Sequence, residues 1–227
     1  MNFFQQVLVL YSSRSDFFIK LILEHIFLSG TAVLIISVVG ISLGILITKY
    51  ENIASFVLNL VNFLYTIPSI ALFGFLVSVT GIGNKSALIA LILYGILPMI
   101  RNTYTGIKEV DSQIIEAAKG MGSTDKQLLF KIQLPLAMPF IISGFRTMVI
   151  MTIALAGIAS FIGAGGLGVA IWRGITTNFP EMTFAGSILV ALLAIIADLI
   201  LGFAEKRINK KIYGNSGGLI WWKKLLV

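Results

Sequence analysis

Ile26-Phe27-Leu28-Ser29-Gly30-Thr31-Ala32-Val33-Leu34-Ile35-Ile36-Ser37-Val38-Val39-Gly40-Ile41-Ser42-Leu43-Gly44-Ile45-Leu46-Ile47 contains no charged residue. A helix needs about 20 apolar residues to cross the ~30 Å hydrocarbon core of a bilayer, and this stretch supplies them. The same texture recurs along the chain. No charge falls between Glu51 and Lys85, between Arg146 and Arg173, or between Glu181 and Asp198. Of the 227 residues, 57% are hydrophobic and 12% charged, and mean hydropathy is +0.97. A soluble domain carries about twice that charge. The pattern predicts an all-α integral membrane protein with about five transmembrane helices.

The spans follow from the breaks between uncharged runs. The first covers about Ile26–Ile47, where Gly40 and Gly44 make a G-x-x-x-G that admits a neighbouring helix closely. The run from Asn52 to Asn84 would make a straight helix of ~50 Å, longer than the core. Pro68 breaks or kinks it and Gly81-Ile82-Gly83 ends it, so one kinked span is expected there. A third span begins at Ser86 and reaches about Ile100. A fourth begins after Pro135 and Pro139 and ends near Ile162, followed by Gly163-Ala164-Gly165-Gly166-Leu167-Gly168. A fifth covers about Met182–Ala204. Residues 1–25 then form an N-terminal segment, residues 26–204 a single membrane domain with a polar loop at about 101–135, and residues 205–227 a basic tail. Arg14, Asp16, Lys20 and Glu24 precede the first run and no small-x-small cleavage site follows it, so that run reads as a retained span rather than a signal peptide.

Charge sets the orientation. Five spans put the two ends on opposite sides. With the tail inside, Lys49, the five bases of the 101–131 loop and the six of the tail lie on the cytoplasmic face. Arg14, Lys20, Lys85 and Arg173 lie outside. That bias places the polar loop and the tail in the cytoplasm and the N-terminus outside. The net charge of +7 therefore belongs to loops, and nucleic acid is not an expected partner. Trp221-Trp222-Lys223-Lys224 has the composition of an interfacial anchor.

The loop between the third and fourth spans carries the most information. Glu116, Ala117 and Ala118 favour a helix, and Gly120 and Gly122 suit its end. Ser123, Thr124 or Asp125 can cap a second helix, which Pro135 terminates. The product is a helix–turn–helix that offers a small surface to a soluble partner. The spacing Glu116-Ala117-Ala118-x3-Gly122-x9-Ile132-x-Leu134-Pro135 resembles the EAA loop of binding-protein-dependent ABC importers, with every specified position filled. Thr66-Ile67-Pro68-Ser69-Ile70-Ala71-Leu72, Gly81-Ile82-Gly83, Tyr94, Pro98, Arg101-Asn102-Thr103-Tyr104-Thr105-Gly106 and Gly163–Gly168 resemble the osmoprotectant branch, whose permeases import glycine betaine, carnitine and choline.

The resemblance implies a MetI-like permease whose loop docks into a separate ATPase, with Glu116 at the contact. It implies a second permease copy or a paralogue, and a separate substrate-binding protein. ATP and Mg are expected on the ATPase, with no cofactor on this chain. No G-x-x-x-x-G-K-[ST] loop is present. A permease for another small solute, such as an amino acid, is the alternative.

Other classes lack their chemistry. With one histidine, His25, and no cysteine, neither a multi-histidine nor a thiolate metal site can form. H-E-x-x-H and G-x-S-x-G are absent, which argues against a membrane-embedded hydrolase, and no catalytic or metal-binding residue is assigned. Five spans without a repeat disfavour a stand-alone secondary transporter. Gly163, Gly165, Gly166 and Gly168 spell a dinucleotide pattern, but a membrane span precedes it and the nearest acids are at the wrong spacing. With Pro68 and Tyr94, these glycines are instead candidates for the pathway or its gate. Arg146 and Asp198 lie within spans at similar depth and are candidates for an ion pair. Tyr65, Phe73, Tyr94, Tyr104 and Trp172 are candidates to face a quaternary ammonium. His25 and Glu24 are expected to anchor the first span at the interface.

Overall fold

A computed structural model describes residues 2–213. Its elements are α1 (Phe3–Ser13), α2 (Ser15–Ile47), α3 (Glu51–Thr66), α4 (Ser69–Thr80), α5 (Asn84–Lys108), α6 (Ser112–Gly120), α7 (Asp125–Leu128), α8 (Leu134–Ile158), α9 (Gly168–Thr176) and α10 (Pro180–Tyr213). Four helical stretches are long and apolar enough to cross a bilayer, and the bent pair α3–α4 makes a fifth crossing when taken as one span. The helices overrun the uncharged runs. α2 begins eleven positions before Ile26, and α10 continues past Ala204 to Tyr213. The Trp221–Lys224 motif lies outside the described residues.

α2 and α5 run alongside each other, and α8 runs antiparallel to both. Small residues set the spacing. A Cβ on Gly40 would stand 2.7 Å from Met99 Cβ, and one on Gly44 2.6 Å from Thr103 Cβ. The G-x-x-x-G is thus spent on the α2–α5 seam within the chain. Gly106 and Gly144 do the same for α5–α8, against Phe140 and Asn102. Met148, Ala156, Ala90, Leu91 and Ile36 fill the shared core. A second cluster, with Val7, Leu10, Phe18, Met182 and Ala185, holds α1 against the start of α10.

Pro68 interrupts its run as expected, and Pro135 departs from the sequence reading. Between α3 and α4 the expected kink is a break of 97°. Pro68 pushes Ile67 out of the helical region, to φ −69° and ψ 127°, and itself sits at ψ 134°. Two consecutive non-helical residues redirect the chain. Pro135, in contrast, does not end a helix. Asp125–Ile162 runs on as 38 helical residues. A π-helical stretch, Leu129–Gln133, immediately precedes α8. Its wider turn absorbs the clash that a proline ring makes with the carbonyl four residues back, and Pro135 falls in the first turn of α8. Pro98 is likewise taken into α5, which runs to Lys108 rather than ending near Ile100.

Candidate functional site: the α6–α7 loop, the helix break and the glycine loop

The α6–α7 loop is defined by its caps. Asp111 Oδ1 accepts from the Gln113 amide at 2.8 Å and starts α6. The helix closes with the amide of Ser123 on the Ala118 carbonyl and that of Gly122 on the Lys119 carbonyl. This is a Schellman arrangement that needs a left-handed residue, and Gly122 supplies it at φ 83°. Thr124 then caps α7 in a reciprocal box with Gln127, with bonds of 3.3 and 3.0 Å. Glu116 and Ala117 are exposed and Ala118 is buried. Beside Glu116, Ile114 and Met121 are also exposed, Met121 at 81%. Ile114, Ala117 and Met121 share one helix face. This short helix thus carries apolar side chains and a carboxylate on open surface, unpacked against the rest of the chain. Ile132 and Leu134 are half-buried and Pro135 is exposed.

At the break, Tyr94 of α5 donates its hydroxyl to the Ile67 carbonyl, tying the non-helical link to the bundle. The Tyr65 and Tyr94 rings stand 5.8 Å apart, inclined at 66°. A cleft of about 430 Å³ opens beside them, with Pro68 and Met151 on its walls. The other proposed aromatics do not join this pair. Phe73 is buried in the core, Tyr104 packs near α3, and Trp172 lies 4.7 Å from Phe161.

Gly163 to Gly168 form a close-packed, irregular loop at the other end of the bundle from α6–α7. Three side chains hold its backbone. Asn84 Oδ1 accepts from the Gly165 amide at 3.0 Å, Glu24 Oε2 from the Gly166 amide at 3.0 Å, and His25 Nδ1 from the Leu167 amide at 3.3 Å. His25 Nε2 lies 3.0 Å from the Ile153 carbonyl. With Nδ1 accepting, Nε2 carries the proton and donates to Ile153. His25 is fully buried, which corrects its interfacial-anchor reading; Glu24 stays partly exposed and also lies 3.9 Å from Lys20. The Glu24 and His25 side chains both accept from the loop's amides, which have no helix to satisfy them.

Arg146 Nε and Nη2 donate to the two oxygens of Asp198 at 2.6 and 2.9 Å, a bidentate geometry. Arg146 Nη1 donates to Glu205 Oε2 at 2.8 Å. Glu205 went unrecognised in the sequence because it was assigned to the tail, yet it lies two turns beyond Asp198 on the same face of α10. That i, i+7 spacing was the available signal. Asn84 and Met151 had no such signal. Among the described residues no group of His, Cys, Asp or Glu could hold a metal ion.

Apolar crossings joined by a polar helical loop define a multi-pass membrane protein. Residues 36–210 match the family described as binding-protein-dependent transport system inner membrane component, and the chain belongs to that family. It is 39% identical over 218 residues to the glycine betaine/carnitine/choline transport system permease protein OpuCD of Bacillus subtilis, covering 95% of each chain. It is 45% identical over 171 residues to the ergothioneine transport permease/ergothioneine binding protein EgtU of Helicobacter pylori, covering 75% of this chain and 30% of that one. The fold matches a chain of the inward-facing MetNI methionine ABC transporter, with a TM-score of 0.71, 22% identity, and coverage of 86% of this chain and 95% of that one.

Proposed function

We propose that this chain is the membrane-spanning subunit of an ATP-driven importer of osmoprotectants, glycine betaine, carnitine and choline. The observation that carries the reading is the exposed α6 face, Ile114, Glu116, Ala117 and Met121, in a chain of this family. Residues 26–204 form the permease domain, with the coupling loop at about 101–135. Separate ATPase subunits grip that loop, Glu116 sits at the contact, and the Gly120–Gly122 turn with Ile132, Leu134 and Pro135 fixes the loop to α8. A second permease, identical or paralogous, completes the pathway, and a separate binding protein delivers the solute from outside. The N-terminal segment, residues 1–25, is extracytoplasmic and the 205–227 tail is cytoplasmic, a reading that the distribution of basic residues supports.

The chain performs no chemistry on the solute. ATP with Mg on the partner draws two loops together, and the motion reaches the membrane through α8, which is continuous with α7. Pro68, Tyr94 and the Gly163, Gly165, Gly166 and Gly168 loop are the pathway and gate elements. Glycine betaine, carnitine, choline and ergothioneine share a trimethylammonium group, so the resemblance to the ergothioneine permease supports a second reading within the same chemistry.

Reconstitution with the ATPase and binding protein tests this. The expected result is saturable, ATP-dependent uptake of a labelled trimethylammonium solute, lost in Glu116→Lys while membrane insertion persists. Uptake of none of these solutes with the ATPase still bound discards the substrate class and keeps the permease. A chain that binds no ATPase overturns the reading.

A further inference from the structure

The cleft at the α3–α4 break is built for a bulky cation. No acidic or basic side chain lines it among the described residues. Its walls are Tyr65, Ile67, Pro68, Tyr94, Met151 and Leu155 with their small neighbours. A hydrated metal ion gains nothing there, because no carboxylate replaces its water. A cation with an apolar surface has less water to lose and is attracted to aromatic faces. The two rings meet at 66° with centroids 5.8 Å apart, so they form a corner. Their hydroxyls are engaged with protein atoms, Tyr94 with the Ile67 carbonyl and Tyr65 with Met151 Sδ at 3.5 Å. The rings therefore offer no free donor; they pack edge to face, with Tyr94 6% exposed behind Tyr65, which is 42% exposed. α3 ends at Thr66, so its last carbonyls, the negative end of the helix, lie at the same break. At about 430 Å³ the cleft falls within the size range of small-molecule sites, about 300–1,000 Å³.

We infer that this cleft is an intramembrane binding site for the trimethylammonium head of the transported solute, with Tyr65 as the contacting ring and Tyr94 packed behind it. The inference rests on the substrate class proposed above. Removing one ring face from a partly exposed cation site costs roughly three- to thirty-fold in affinity.

The test has two arms, both in the complete complex with ATPase and binding protein. In the first, uptake of labelled glycine betaine is compared in Tyr65→Phe, which keeps the face, and Tyr65→Leu, which keeps bulk without it. Near wild-type uptake in the first and a roughly three- to thirty-fold loss in the second are expected, with unchanged melting temperature and unchanged ATPase stimulation by loaded binding protein. In the second arm, the absence of cysteine makes Ala154→Cys, on the cleft wall, a single alkylation reporter. Tetramethylammonium is expected to slow its alkylation by maleimide, tert-butanol is not, and adding Tyr65→Leu removes the protection. Equal uptake in both Tyr65 variants, or no protection by tetramethylammonium, overturns the site while wild-type uptake upholds the substrate class. Protection without wild-type uptake of any trimethylammonium solute upholds the site's chemistry and discards the substrate class.

Discussion

Gly168 begins α9 at a contact that no other residue can make, and Gly168→Ala tests the packing of the glycine loop. An added Cβ would stand 1.9 Å from the Gly157 carbonyl oxygen and 2.6 Å from Ser160 Oγ. Carbon and carbonyl oxygen normally approach to about 3.3 Å, so the shortfall is roughly 1.4 Å. The obstacle is backbone of α8, held by its helix, so α9 must move. Overpacking of this kind costs about 1–3 kcal/mol or more, and a backbone obstacle puts it at the upper end. At about 2–4 °C per kcal/mol for a chain of this size, the expected drop in melting temperature is roughly 6–12 °C. The assay is a thermal scan of purified protein in detergent. Gly30→Ala and Gly74→Ala, with nothing within 4 Å, are the controls and should melt at or slightly above wild type. Gly165→Ala should fall between, because its obstacle, Glu24 Oε2 at 2.7 Å, is a side-chain end that can turn away. Gly168→Ala melting with the controls would refute the close-packed loop.

Three further outcomes follow from the site geometry. His25→Ala leaves the buried Leu167 amide without a partner, at about 1–3 kcal/mol, and strips the Ile153 carbonyl of its second bond while its helical one remains; it should lower the melting temperature more than Glu24→Gln, whose carboxylate site is partly exposed. Thr124→Ala removes one bond of the α7 capping box at about 1 kcal/mol; hydrogen exchange should quicken at Gln127 and Leu128 and not at Gln113, and Thr124→Ser should restore it. Asp198→Ala and Glu205→Ala should each be milder than their combination, because either carboxylate keeps Arg146 paired. A melting-temperature loss in the double variant equal to the sum of the singles would show that the carboxylates do not share the guanidinium.

What the sequence made legible depended on the range of the interaction. Uncharged length reveals crossings because the bilayer imposes it locally, and the caps around Asp111, Gly122 and Thr124 are local too. Gly122 as the end of α6 and Thr124 as one of three candidate caps for α7 were therefore readable, whereas the Asp111 cap, though just as local, went unread. Pro68 announced a discontinuity, but its angle depends on Tyr94, 27 positions away, fastening the Ile67 carbonyl. Pro135 misled because its usual effect, ending a helix, is cancelled by a π stretch that nothing in the composition advertises. His25 was misread because its position at the edge of an apolar run suggests an interface. Its partners at 153 and 167 come into reach only when α2, α8 and the glycine loop are assembled.

One helix links the three regions of the site, and its packing says where motion can occur. From Asp125 to Ile162 the chain is continuously helical, with Arg146 and Met151 along its length and its Ile162 carbonyl accepting the Gly83 amide at 2.9 Å. On the α6–α7 side, Gly106 and Gly144 bring α5 and α8 so close that an added Cβ would meet atoms at 2.7 and 2.5 Å. Such a seam has no room to slide, so α5 and α8 move as a pair. Across the cleft, α3 and α4 are separated from each other by two non-helical residues, and Tyr94 bonds the link between them rather than either helix. In the proposed cycle, a push on α6–α7 is therefore carried by the α5–α8 pair and resolved at the break. Tyr94 and Met151 would move with that pair, and the Tyr65–Met151 contact at 3.5 Å would part if Tyr65 stayed with α3, so the cleft would change shape as the loop is driven.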